Sequence, residues 1–204
     1  EKATIAEVIP ASSGAAGVDV FGTVRPGIKG REVQIELFEN LTVLDNILFG
    51  RHLHFSYGPL SAAWYHGRAK RQESEHRARA EDIIDFLEIE RWRKYPVGLL
   101  PYGIQKRVEL ARALAMDPEL LLLDEPVAGM NLEETEDMAR FVLDIRLELG
   151  IAMILVEHDM GLVMDIADRI MVLDFGQKIA EGTPAEVSTN PAVIKAYLGE
   201  EIDA

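Results

Sequence analysis

The chain has no cysteine among its 204 residues. That excludes disulfides and thiolate metal sites, and it fits a cytosolic setting. Nor is there an apolar run near the roughly 20 residues needed to cross a bilayer, although hydrophobic residues make up 48% of the chain. The start from Glu1 to Gly17 lacks a basic lead followed by an apolar block, so no secretory signal is expected. Basic residues are in the minority: 21 Lys and Arg face 35 Asp and Glu, a net charge of −14. Nucleic-acid binders usually carry a basic face, and this balance argues against that class. A small anionic ligand is not excluded, because phosphate sites rely on backbone N–H groups and a metal. No internal repeat or low-complexity segment interrupts the sequence. Its length suits one sizeable core with a smaller subdomain.

What is present centres on Leu120 to Pro126, reading Leu-Leu-Leu-Leu-Asp-Glu-Pro. Four leucines closed off by a proline read as a strand buried on both faces, as inside a parallel sheet. Asp124 and Glu125 fall where that strand runs out, and ligands of open α/β sheets bind beyond the carboxyl ends of the strands. Neighbouring strand residues point to opposite faces, but Pro126 turns the chain at once and brings both acids toward one ligand. Such a pair suits a hydrated Mg²⁺ beside a phosphate, with one carboxylate left to polarise a water. It equally suits a plain strand end with two solvated acids.

Further on, Glu133 to Leu149 reads as a helix burying Met138, Phe141, Val142, Ile145 and Leu149, with Gly150 ending it. Ile151 to Val156 is a second apolar strand, and His158 follows it on the same rim as Asp124. A helix over 160–167, a strand over 169–173, a turn at Phe175-Gly176-Gln177 and a final helix pair complete the chain. Strands alternating with helices give βαβ units and a parallel sheet. Upstream, Gly103 opens a helix whose stripe is Ile104, Val108, Ala111 and Ala115. A helix N-terminus offers unpaired N–H groups to a phosphate, and glycine lets the backbone come close. The segment from Asn46 to Tyr95 is helical. Its run from Arg68 to Arg79 mixes Arg and Lys with Glu73 and Glu75, and so reads as an exposed, charge-laced helix seated by Ile83, Ile84, Phe86, Leu87 and Ile89. His52, His54 and His66 have no metal-ligand spacing.

The order of Leu100-Pro101-Tyr102-Gly103, the helix after it, Leu120 to Glu125, Ala128-Gly129-Met130-Asn131 and Val156-Glu157-His158-Asp159 resembles the ATP-binding-cassette ATPases. These stretches stand for the signature loop, the Walker B strand, the D-loop and the switch histidine. Leu-Pro-Tyr-Gly is similar to the form found in ATPase subunits of branched-chain amino-acid importers. The resemblance implies an α/β fold, a P-loop NTPase-like parallel sheet with an inserted α-helical subdomain. It implies ATP and Mg²⁺, with Asp124 and Gln34 toward the metal, Glu125 polarising the attacking water and His158 steadying the terminal phosphate. Leu100, Pro101, Tyr102, Gly103 and Asn131 then serve the nucleotide across a dimer interface. Gln34 sits one residue closer to Leu37-Phe38 than the family's spacing. Membrane-spanning permease subunits and a second ATPase subunit are the implied partners, with Phe49, Phe55, Tyr57, Trp64 and Tyr65 available to the permease. The implied place is the inner face of the cell membrane.

One element of that family is missing. No Gly-Lys dipeptide occurs, so the phosphate loop Gly-x-x-x-x-Gly-Lys-Ser/Thr is not in this sequence. Residues 1–40 are expected to be an altered or truncated remnant of the nucleotide core, with short strands at Val18 to Phe21 and Thr23-Val24 and small-residue loops around them. Residues 41–116 form the expected helical subdomain with the signature, and 117–204 the remaining half of the core. Two functions follow: an ATP-hydrolysing importer subunit, or a non-hydrolysing subunit that lends its signature to an intact partner. A Mg²⁺ phosphohydrolase of another fold leaves the signature helix unexplained.

Overall fold

The computed structural model describes residues 4–9, 37–54 and 68–198. Gln34, the strands expected near Val18 and Thr23, and the aromatics from Phe55 to Tyr65 lie outside them. The chain divides into two compact units, residues 34–118 and residues 1–33 together with 119–204.

The 34–118 unit is helical. Helix α1 (Val43–Gly50) starts at Thr42, whose hydroxyl accepts the Asp45 N–H, and it buries Val43, Leu44 and Ile47. Asn46, fully buried, accepts the Phe38 N–H and donates to the carbonyls of Phe38, Leu41 and Thr42. This amide satisfies part of the entry loop, whose backbone also bonds to residues 95–98. Helix α2 (Arg68–Phe86) carries the mixed charges outward and buries Ala80, Ile83 and Ile84, followed by Leu87 and Ile89. Helix α3 (Tyr102–Leu114) lies against α1 at Gly50, where a Cβ would meet the Arg112 carbonyl at 2.6 Å. Only glycine allows that approach.

A buried polar knot ties these helices together. The Arg51 guanidinium donates to the Ala115 carbonyl at 2.9 Å and to His76 Nδ1 at 3.2 Å, and it pairs with the Asp117 carboxylate. Arg79 and His54 approach the same carboxylate at 3.5 and 3.8 Å. Accepting from Arg51 requires an unprotonated His76. Burial lowers its pKa, and the positive charges of Arg51 and His54 lower it further, while Glu75 and Asp117 pull the other way. The neutral form is thus favoured by folding. Its contribution is complete above the ordinary value of 6.5 and is lost as pH falls below that point. Thermal unfolding followed from neutral pH down through 6.5 should therefore show a falling midpoint. His76→Asn, which keeps an acceptor but cannot take up a proton, should flatten that fall. An unchanged slope in the variant would show that His76 is not its source.

The other unit is built on a five-stranded sheet in the order β2-β3-β1-β4-β5. Its strands are β1 (Thr4–Ile9), β2 (Leu120–Asp124), β3 (Ala152–Glu157), β4 (Ile170–Asp174) and β5 (Gln177–Gly182). Strands β2 and β3 are parallel, with Leu120 opposite Ala152 and Asp124 opposite Val156. Among the described residues β2 ends the strand order and Leu122 and Leu123 are half-buried, so it is an edge strand and not the doubly buried one that the leucine run suggests. Strand β1 runs antiparallel to both β3 and β4, so those two share one direction across it. The parallel frame expected from the βαβ pattern is therefore present in β2, β3 and β4, with two reversed strands added. Strand β5 is reversed because it returns through a tight hairpin at Phe175 and Gly176, both left-handed with φ of 46° and 75°.

Helix α4 (Leu132–Asp144) is opened by a reciprocal cap between Asn131 and Glu134. It buries Met138, Phe141 and Val142. Its last turn, Ile145–Leu149, is a π-helix ended by left-handed Gly150. The wider turn shifts the helical phase, which is why Ile145 is buried whereas Leu149, expected on the same stripe, is exposed. Helices α5 (Met160–Ile166), α6 (Pro184–Ser188) and α7 (Pro191–Leu198) complete this unit. Val163, Ile170, Val172, Ala180, Val187 and Val193 form its core beside β4 and β5.

Candidate functional site

Parallel pairing carries the ends of β2 and β3 to one edge of the sheet. Asp124, the last residue of β2, is exposed there. Glu125 continues the ladder by donating its N–H to the Val156 carbonyl at 2.9 Å, but in the left-handed region, with φ of 44°. A β-strand cannot continue through that conformation, and it costs a non-glycine residue about 1–2 kcal/mol. The turn after it is closed by bonds from Ala128 N–H to the Glu125 carbonyl and from Met130 N–H to the Val127 carbonyl. Strain of this kind concentrates at functional positions.

His158 comes from the end of β3. Its Nδ1 lies 3.3 Å from Glu125 Oε1, with both side chains about half exposed, at 43% and 52%. Carboxylate and imidazole therefore meet where solvent, or a ligand, has access. Backbone pairing sets this meeting, since Asp124 and Val156 are register partners and each functional side chain follows within two residues. Among the described residues, no group of three or more His, Cys, Asp or Glu is arranged to hold a metal by itself. The exposed hard-oxygen donor of Asp124 instead fits Mg²⁺, which keeps several waters and takes one or two carboxylates plus phosphate oxygens.

The structure thus brings Glu125 and His158 together, with Asp124 at the same edge of the sheet. Asn131 is reached by the same turn, and its side-chain oxygen accepts the Glu134 N–H as the cap of α4. Leu100, Pro101, Tyr102 and Gly103 belong to the helical unit. Pro101 is the N-cap of α3, and no side chain caps that helix start. Its carbonyl accepts from Ile104 and Gln105, leaving the first N–H groups of the turn directed along the helix axis. Leu100 and Gly103 are buried, whereas Pro101 and Tyr102 are exposed.

The sequence reading missed the part played by Glu157, which is 1% exposed. Its Oε1 accepts the Val127 N–H at 3.3 Å and its Oε2 accepts the His158 N–H at 3.1 Å. A signal for it was available. Met153, Leu155 and Glu157 alternate along one face of β3, and the first two are buried, so the acid had to be buried with them.

The family profile described as ABC transporter matches residues 23–128, and the one described as branched-chain amino acid ATP-binding cassette transporter matches residues 177–203. The high-affinity branched-chain amino acid transport ATP-binding protein BraF of Pseudomonas aeruginosa is 36% identical over 176 residues, covering 86% of this chain and 69% of that protein. LivG of Escherichia coli K12, described in the same words, gives the same identity and shares. Among solved structures, the ADP conformation of MJ1267, an ATP-binding cassette of an ABC transporter, superposes with a TM-score of 0.64 at 31% identity, over 79% of this chain and 64% of that one. A dimeric post-hydrolysis state of the cassette MJ0796, bound to ADP and Pi, gives a TM-score of 0.57 at 25% identity, over 72% of this chain and 59% of that one. This chain thus spans less than two thirds of the solved cassettes it matches.

Proposed function

Because the chain belongs to the ATP-binding-cassette family of transporter subunits, we propose that it is the ATPase subunit of an importer for branched-chain amino acids. It works at the inner face of the membrane with permease subunits and a second cassette. No described helix is long and apolar enough to cross a membrane. Exposed Phe38 and Phe49, edge to face at 4.8 Å with the Arg112 guanidinium over both rings, supply a surface for a permease segment.

The observation that carries this reading is the approach of Glu125 to His158 beyond the ends of two parallel strands. Phosphoryl transfer is mainly positioning and charge neutralisation, and this edge offers the groups for both. Asp124 would hold Mg²⁺, with Gln34 as the second residue that the family resemblance assigns to it, and the ion would supply neutralisation of the phosphate charge. Glu125 polarises the attacking water, His158 steadies the terminal phosphate, and Asn131 fixes the turn leading to α4. Leu100 to Gly103 present the start of α3 to a nucleotide across the cassette dimer.

A second reading is favoured by β1. It runs opposite to β3, with Ile5 opposite Glu157 and Ile9 opposite Met153, so the chain leaves it at the far end from Asp124. A phosphate loop following a strand in that slot would need the other direction. Together with the missing Gly-Lys dipeptide, this suits a subunit that lends its signature to an intact partner. A fluorescent ATP analogue titrated with and without Mg²⁺, into the chain alone and into its mixture with an intact cassette, tests the proposal. Binding by the mixture that exceeds what the intact cassette binds by itself, and that tightens with Mg²⁺, is expected. No binding by the chain alone and no gain over the intact cassette in the mixture would remove both readings.

A further inference from the structure

Glu157 is a carboxylate on the buried face of a strand, and its contacts are two backbone N–H groups and the ring of His158. Among the described residues, no Lys or Arg is paired with it. Burying an acid without a cation is costly, and the cost is offset only where hydrogen bonds meet its oxygens. Both of its donors belong to the site. One is the N–H of Val127, two residues beyond Glu125 in the turn that holds Glu125 left-handed. The other is the N–H of His158 itself. Oε2 also lies 3.8 Å from His158 Nδ1, on the same nitrogen that faces Glu125.

We propose that Glu157 is a positioning residue, a clamp whose two oxygens fix the turn after β2 and the histidine after β3 so that Glu125 and His158 meet. Two segments about thirty residues apart are held to one rigid group, where the ladder between β2 and β3 ends at the Glu125 N–H bond to the Val156 carbonyl. A hydrocarbon of similar size would fill the space but leave two buried N–H groups without acceptors. A glutamine keeps one acceptor oxygen and turns an NH₂ group toward the other amide, so it serves one segment and releases the other. The clamp's importance for catalysis rests on the ATPase reading, whereas its existence does not.

The test uses the isotopically labelled full chain without nucleotide. In Glu157→Ala, amide exchange at Val127 and His158 should rise together by about tenfold or more, the equivalent of one lost buried bond. Met153 and Leu155 should stay close to their parent rates. Glu157→Gln, which preserves the side-chain volume, should release only one of the two amides. The second readout is coupling: Glu125→Gln should shift the His158 ring resonances in the parent and leave them nearly still in the Glu157→Gln background. Unchanged exchange at both amides, or an equal response of His158 in both backgrounds, would overturn the clamp. ATP turnover of the assembled transporter is scored separately. A chain with an intact clamp and no turnover would contradict the ATPase reading alone.

Discussion

Glu125→Gln in the assembled transporter is expected to lower steady-state phosphate release by about 10²- to 10⁴-fold, the usual contribution of a positioned general base. The substitution keeps shape and backbone, so the left-handed turn at φ of 44° and the approach to His158 survive. On the ATPase reading, what it removes is the charge that draws a proton from water. Binding of the nucleotide should change little, because the lost interaction is made in the transition state and not before it. The loss should therefore appear in kcat and leave KM nearly unchanged. A silent Glu125→Gln would exclude this carboxylate from the chemistry and support the signature-lending subunit.

Gly103→Asp is expected to reduce turnover by about 10²-fold or more, the scale associated with losing one preorganised donor to developing charge. Gly103 is buried in the first turn of α3, where no side chain caps the helix. An aspartate there adds a Cβ and a negative charge just where a phosphate would use the N–H groups. Acids in the first turn favour the helix itself, by roughly 0.3–1 kcal/mol. Helix propensity is therefore not what should fail, and circular dichroism that matches the parent's assigns the loss to the phosphate site and not to burial of the new charge. The two substitutions separate the two readings. Losses from both indicate hydrolysis on this chain, whereas a loss from Gly103→Asp alone indicates that only the signature is used. Full activity of Gly103→Asp would contradict either role for the segment.

The edge of the site was legible because its residues follow strands that announce themselves. Leu120 to Leu123 announce a strand, and the acids behind it inherit their place from the chain direction, although among the described residues that strand lies at the edge of the sheet with Leu122 and Leu123 half-buried. His158 was legible for the same reason, one strand over. The contact between Glu125 and His158 was not, since it depends on a left-handed residue that no local pattern demands. Glu157 was passed over because an acid beside a histidine reads as surface, and only the alternation with Met153 and Leu155 contradicts that. The knot of Arg51, His76 and Asp117 joins residues 25 and 66 positions apart, beyond the reach of any periodicity. Thr4 to Ile9 carries β-branched residues and stops before Pro10, so a strand could have been read there, but its antiparallel placement could not. Leu149 left its expected stripe through a π-turn, which a 3.6-residue period does not contain.

The claim on which the rest depends is that the edge formed by the ends of β2 and β3 faces the terminal phosphate of a nucleotide. An ATP analogue carrying a photoreactive group on that phosphate, irradiated with the assembled cassettes and mapped by mass spectrometry, tests it directly. Label within residues 124–131 and 156–159 of this chain is the expected result. Label confined to the signature segment, or to the opposite strand ends at Leu120 and Ala152, would contradict it.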